Sequence, residues 1–182
     1  MMADLTLVLG GASSGKTAWA EAMVKSFDLP MTYIATAQAL DSEMADRIAA
    51  HKAARGPGWD VIEAPLDVAG ALRDMPAGGA VLLDCATMWL SNRMAAGGDI
   101  ADAQAELLAA LAACPARVVV VSNELGLSVV PDNALARRFR DAQGRLNQQI
   151  GAHAARVVAV MAGLPLALKG ALPDDIGSGG AA

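Results

Sequence analysis

Aromatic residues are scarce in this 182-residue chain: three Trp, two Phe and one Tyr, 3% of the whole. So few ring faces offer little for a single-stranded nucleic acid to stack on. Positive charge is also short. Fourteen Lys and Arg stand against nineteen Asp and Glu, a net charge of −5. The basic footprint of a phosphate-backbone binder is missing, and no nucleic-acid partner is expected. The two cysteines, Cys85 and Cys114, are too few for a disulfide scaffold or a thiolate zinc site, which predicts a reducing, cytoplasmic setting. No apolar run approaches the ~20 residues that cross a bilayer, so no membrane insertion is expected. The opening Met1-Met2-Ala3-Asp4 lacks a basic stretch, and the apolar run after it ends in a Gly/Ser loop; no secretory signal is expected.

Apolar residues, in contrast, make up 54% of the chain and charged ones only 18%, which is the composition of a folded domain. Short apolar runs alternate with longer helical stretches. Leu5–Leu9 reads as a parallel strand covered on both faces, and Met31–Ala35 as a second strand. Residues 41–55 read as a helix stopped by Gly56-Pro57-Gly58. Trp59–Glu63, Ala80–Leu83, Val118–Val121 and Val157–Met161 complete the strands, with a helix from about Asn133 leading into the last. Gly97-Gly98 marks a break between helical pieces. This alternation predicts an α/β fold, a mostly parallel sheet with helices on both faces. A single domain over 1–170 is expected, with a flexible tail over 171–182 that buries too little side chain to repay its ordering.

The chemistry starts at Gly10-Gly11-Ala12-Ser13-Ser14-Gly15-Lys16-Thr17, a full match to the phosphate-binding loop between a strand and a helix. Glycines let successive amides point into one cavity, and the helix N-terminus adds its unbonded amides and positive dipole end. Lys16 is expected on the β- and γ-phosphates and the Thr17 hydroxyl on Mg²⁺. Asp84, closing the Leu82-Leu83 strand, is the expected second carboxylate, holding a water of the Mg²⁺ shell.

His51 shares a predicted helix face with Arg47 at i−4 and Arg55 at i+4. Two neighbouring cations disfavour imidazolium and leave a neutral ring at pH 7. Spacing alone leaves several uses open: a solvated or structural face, an acid, a base or an anion-binding donor, or a nucleophile whose arginines clamp a triphosphate. His153 reads as structural, Trp19 as packing against the sheet, and Trp89 with Asn92 as a pocket wall. Ser122-Asn123-Glu124 belongs to the same sheet edge as the loop. Arg137–Asp141 and Asp141–Arg145 are expected as i,i+4 pairs among the arginines 137, 138, 140 and 145, one of which could instead meet a phosphate across a subunit boundary.

Several segments together resemble one family, the bifunctional adenosylcobinamide kinase / adenosylcobinamide-phosphate guanylyltransferase of cobalamin biosynthesis. They are 10–17, Tyr-Ile-Ala-Thr-Ala-Gln-Ala at 33–39, 41–52 with its Arg-Ile-x-x-His, Trp59 with Glu63, and Leu-Leu-Asp-Cys-Ala-Thr-Met-Trp-Leu-Ser-Asn at 82–92. The Asn-Glu-x-Gly within 121–131 and the Phe-Arg-Asp-x-x-Gly-Arg-x-Asn within 135–148 are the most specific. The resemblance implies a P-loop nucleoside triphosphate hydrolase fold with recombinase-like topology, assembled as a trimer. It implies phosphorylation of adenosylcobinamide by GTP or ATP, then GMP transfer from GTP through a guanylylated His51. Lys16 joins His51 as catalytic. Residues 10–17, Arg47, Arg55, Glu63 and Asp84 form the nucleotide site, with Thr17 and Asp84 toward Mg²⁺, and a corrinoid is the small-molecule substrate. Ser13 stands where the family usually has arginine, and Thr17 where serine is commoner. The rival reading is a monofunctional P-loop small-molecule kinase that forms no covalent intermediate.

Overall fold

The computed structural model describes residues 2–39, 42–173 and 176; for residues 2–4, 43, 44, 47, 51 and 54 it describes the backbone alone. Seven strands form one sheet: β1 (Met2–Gly10), β2 (Met31–Ala35), β3 (Trp59–Glu63), β4 (Ala80–Asp84), β5 (Arg117–Asn123), β6 (Ala154–Met161) and β7 (Leu164–Lys169). Their spatial order is β3-β2-β4-β5-β1-β6-β7, parallel throughout except for β7 against β6. The helices are α1 (Lys16–Lys25), α2 (Ser42–Arg55), α3 (Val68–Arg73), α4 (Ala86–Ala96), α5 (Ile100–Ala113) and α6 (Ala134–His153).

The continuous apolar runs of the central strands have a direct cause: the two faces of the sheet feed two cores. Leu7, Leu83 and Val120 join Leu72, Leu90, Leu107 and Leu146 from α3, α4, α5 and α6. Their chain neighbours Val8, Leu82, Val119 and Val121 point the other way, onto Trp19, Met23 and Val24 of α1. Side chains that alternate between two apolar layers leave no polar positions in the strand, which is why periodicity there reads as unbroken.

Every strand read from the sequence is present, with β1, β5 and β6 longer than expected. The break at Gly97, with φ +81, separates α4 from α5 as read. Two elements were not anticipated, the six-residue α3 and the strand β7. β6 and β7 form a hairpin turning at Ala162 and Gly163, both with positive φ (51 and 77), as a two-residue turn between twisted strands requires. Beyond Lys169, Leu172 and Ile176 lie against the α1-side core. Residues 174, 175 and 177–182 lie outside the described residues.

Candidate active site

The site is built where β1 ends. Gly10 pairs with Asn123 across the ladder, and the Glu124 amide donates to the Gly10 carbonyl at 3.2 Å. A Cβ on Gly10 would collide with the Ser14 hydroxyl and come within 2.6 Å of the Val160 carbonyl of β6, so only glycine lets the chain leave the sheet here. The loop returns through Ser13 (φ 55) and Gly15 (φ 90), and α1 starts at Lys16 with no side chain capping its first amides. That leaves a helix N-terminus suited to phosphate. The β6–β7 turn braces the loop from outside: the Gly163 amide donates to the Ser14 carbonyl at 2.9 Å. Lys16 Nζ reaches back to the Gly11 carbonyl at 3.0 Å, so its ammonium spans the loop. Thr17 is half-buried at the start of α1.

Asp84 ends β4 with one strand, β5, between it and the loop strand. Its surroundings are heavily pinned. The Thr36 amide donates to the Asp84 carbonyl at 3.1 Å. The Thr36 hydroxyl donates to the Cys85 carbonyl and accepts from the Cys85 amide, both at 2.8 Å. The Asp84–Cys85 peptide is cis. The carboxylate itself accepts from the Tyr33 phenol, Oη to Oδ2, at 2.8 Å. Burial first, and then the Asp84 charge, push the Tyr33 phenol far above its ordinary range. It remains a donor throughout physiological pH. The same two causes raise the Cys85 thiol to about 11.

Trp89 and Asn92 are not an open pocket wall. Both are buried; the Trp89 indole donates to the Leu66 carbonyl at 3.1 Å, and Asn92 Nδ2 donates to the carbonyls of Thr36 and Pro65 at 2.8 and 3.0 Å. They tie the β3–α3 connection to the β2 end, which fixes the rim from below.

Arg47, His51 and Arg55 lie one helical turn apart on α2 as expected, but the side chains of Arg47 and His51 lie outside the described residues. Arg55 departs from the expected solvated or anion-facing position. It is 5% exposed, its guanidinium carbon 3.4 Å from the centre of the Tyr33 ring and its Nε 4.0 Å from Glu21 Oε1 of α1. The physical reason is attraction: a carboxylate and an aromatic face occupy the inner side of the α2 terminus and draw the guanidinium in, although its Nε makes no hydrogen bond. Glu63 stands exposed at the end of β3, 3.5 Å from Lys52 Nζ.

Ser122, Asn123 and Glu124 do reach the loop edge. Ser122 is fully buried in a network with Gln143 and Asn147 of α6, at 2.7–2.9 Å. The Asn123 amide donates to Thr87, and Glu124 Oε1 accepts from the Gly126 amide. The expected ion pairs of Asp141 with Arg137 and Arg145 do not form. Arg137 Nη1 instead donates to the carbonyls of Pro131 and Asp132, at 2.9 and 2.7 Å. Arg140 and Arg145 line an open cleft of about 340 Å³ with Gly126, Asp141, Gly144 and Gln148.

Tyr33, Glu21 and Thr36 are the site residues that sequence reasoning missed. The one available signal was the tyrosine itself, the only one in the chain, on a strand beside that of Asp84. Hard oxygen donors, the Thr17 hydroxyl and the Asp84 carboxylate, fit Mg²⁺, which takes one or two protein oxygens beside phosphates and waters. No cluster of three His, Cys, Asp or Glu able to cage a metal occurs among the described residues.

Comparison with known proteins agrees with this geometry. The chain is 46% identical over 167 residues to the bifunctional adenosylcobalamin biosynthesis protein CobP of Pseudomonas aeruginosa, covering 90% of this chain and 96% of that one. It is 41% identical over 151 residues to the bifunctional adenosylcobalamin biosynthesis protein CobU of Salmonella typhimurium, covering 73% and 82% respectively. Among solved structures, the RadB recombinase superposes with a TM-score of 0.51 at 15% identity, over 85% of this chain and 73% of that one, which bears out the recombinase-like P-loop topology. Residues 6–168 match the family described as cobinamide kinase / cobinamide phosphate guanyltransferase, and the chain belongs to that family of nucleotide-using enzymes.

Proposed function

We propose that this chain carries out both reactions its family is named for at one nucleotide site. It phosphorylates adenosylcobinamide with GTP or ATP, then transfers GMP from GTP to adenosylcobinamide phosphate, giving adenosylcobinamide-GDP and pyrophosphate. The observation that carries this reading is the pairing of an intact phosphate loop, Gly10–Thr17, with Asp84 at the same end of the sheet, one strand between them, in a chain matched to the family over residues 6–168.

In the phosphoryl step, the loop amides and the Lys16 ammonium gather the β- and γ-phosphates and neutralise charge growing on the bridging oxygen. The cobinamide hydroxyl attacks the γ-phosphorus in line as the bond to that oxygen breaks, the nucleoside diphosphate leaves, and the hydroxyl proton passes to water. Thr17, through its hydroxyl, and Asp84, through a water, would hold Mg²⁺, which would supply positive charge to the phosphates. In the guanylyl step His51 is the nucleophile. A neutral imidazole nitrogen bonds to the α-phosphorus of GTP, the bond to the oxygen shared with the β-phosphorus breaks, and pyrophosphate leaves. A phosphate oxygen of adenosylcobinamide phosphate then displaces the imidazole from the phosphoramidate. Arg47, one turn from His51, and Glu63 join the nucleotide contacts.

The reading includes a homo-oligomer, a trimer, in the cytoplasm. The leucines of edge strand β7 support it: Leu164, Leu166 and Leu168 stand on one face, each more than half exposed, an apolar ladder suited to another copy. Two free cysteines suit a reducing compartment. The test is covalent labelling of the whole chain with GTP labelled at the α-phosphate. An acid-labile adduct, absent in His51→Ala and chased by adenosylcobinamide phosphate, is the expected result. Undiminished GTP binding with no adduct would overturn the covalent mechanism and leave a single-function P-loop kinase.

A further inference from the structure

The buried arginine at the end of α2 has no part in the two reactions as written above. A helix-terminal Arg costs least when it stays in water, and removing a cation from solvent is expensive unless its new position is strongly compensated. Arg55 is nevertheless held at three points. Its guanidinium lies on the Tyr33 ring at 3.4 Å, its Nε faces Glu21 Oε1 at 4.0 Å, and its carbonyl accepts from Lys25 Nζ at 3.1 Å. Trp59 closes the stack, edge-on to Tyr33 with ring centres 5.8 Å apart. Tyr33 in turn donates to Asp84 Oδ2 at 2.8 Å.

We propose that Arg55, Glu21 and Tyr33 form a positioning latch that fixes the C-terminal turn of α2 relative to Asp84 and the phosphate-loop helix, and that this latch serves guanylyl transfer. His51 lies one turn upstream of Arg55, roughly 6 Å along the helix axis. Whatever fixes the end of α2 fixes the height of that turn above the sheet. Lys16 and Thr17 belong to α1 and reach the nucleotide without α2. The two half-reactions therefore depend on the latch unequally: an untied α2 displaces the nucleophile and leaves the phosphoryl-transfer groups in place. Tyr33 is different, because it also orients the Asp84 carboxylate that both steps share. All three act as positioning residues, and the inference rests on the bifunctional reading above.

The test compares the intact wild-type chain with three variants. Glu21→Gln/Arg55→Met removes both charges, so that neither is left buried alone. Arg55→Lys keeps the charge and loses the planar stack, and Tyr33→Phe keeps the ring and loses the donor. Three quantities are read: the single-turnover rate of α-phosphate label appearing on the protein, the rate of γ-phosphate transfer from ATP to cobinamide, and the ultraviolet resonance Raman doublet of the only tyrosine, recorded without nucleotide. Misplacement by about 1 Å costs on the order of 100-fold in rate. The double variant is expected to lose about that factor in labelling while γ-phosphate transfer stays within roughly threefold. Arg55→Lys should recover part of the loss. Tyr33→Phe should slow both steps, and the wild-type doublet should show a donating phenol that weakens toward an accepting one in Asp84→Asn.

Equal losses in both steps for the double variant, tracking the folded fraction by circular dichroism, would reduce the latch to ordinary structure and overturn it. So would unchanged labelling. Absence of label on the wild-type protein would instead overturn the bifunctional reading, and the latch with it.

Discussion

Replacing Gly10 by alanine tests the loop geometry most sharply, because a single methyl group decides it. The added Cβ would meet the Ser14 hydroxyl, and the Val160 carbonyl at 2.6 Å, with the Ser14 Cβ also at 3.2 Å. The first is the end of a side chain and can rotate. The second is backbone of β6, held by the pairing of β6 with β1 and β7. Relief therefore requires β1 and β6 to separate where the loop begins, and overpacking of this kind costs about 1–3 kcal/mol. For a chain of this length each kcal/mol lowers Tm by roughly 2–4 °C, so a fall of about 2–12 °C is expected in thermal unfolding followed by circular dichroism. GTP binding, measured by calorimetry, should weaken in parallel, since the displaced segment carries the loop amides. Ser14→Ala within Gly10→Ala separates the two contacts. It removes the movable one and should restore only a minor part of the loss. Full recovery in that double variant, or a Tm unchanged by Gly10→Ala alone, would refute the argument that the β6 backbone excludes a Cβ.

Three further outcomes follow from the structure. Lys16→Met should lower the phosphotransfer rate by at least about 100-fold, while Tm moves little, because the exposed bond to the Gly11 carbonyl contributes only about 0.5–1.5 kcal/mol. Leu107→Ala, at a fully buried position of α5, should cost about 2–5 kcal/mol in urea denaturation without changing the ratio of the two activities. Cys85 makes stability depend on alkaline pH. Its thiol sits near 11 in the folded chain against an ordinary value of 9.0, so the folded state keeps a proton that the unfolded state releases. That contribution is fully present below pH 9 and is lost as pH rises toward 11, by roughly 2–3 kcal/mol. Urea midpoints across this range should fall more steeply for wild type than for Cys85→Ala. The same burial predicts slow iodoacetamide labelling of Cys85 in the folded chain at pH 8.

What could be read ahead of the structure divides along sequence distance. The phosphate-loop motif is eight consecutive residues between a strand and a helix, and Asp84 ends an apolar strand, so the placement of both at one end of the sheet was legible. Strand β7 was not, because Pro165 lies inside Leu164–Lys169 and a proline argues against a central strand. β7 is an edge strand, where a missing amide donor goes unnoticed. Arg137 and Asp141 satisfy the i,i+4 rule and still do not pair. Two carbonyls of the preceding loop, five and six residues upstream, compete for the same guanidinium and win. Arg55 is the instructive case. Helical spacing correctly set it one turn from His51, but its partners, Glu21 and Tyr33, come from α1 and β2. Tyr33 meets Asp84 across 51 residues of chain. Periodicity says which residues share a helix face and nothing about what that face meets. Buried polar groups are the ones whose partners must be supplied from elsewhere in the fold. A cation on an otherwise polar helix face is thus legible as a charge and illegible as an anchor. Here that difference separates an arginine open to an anion in solvent from one buried between Glu21 and Tyr33.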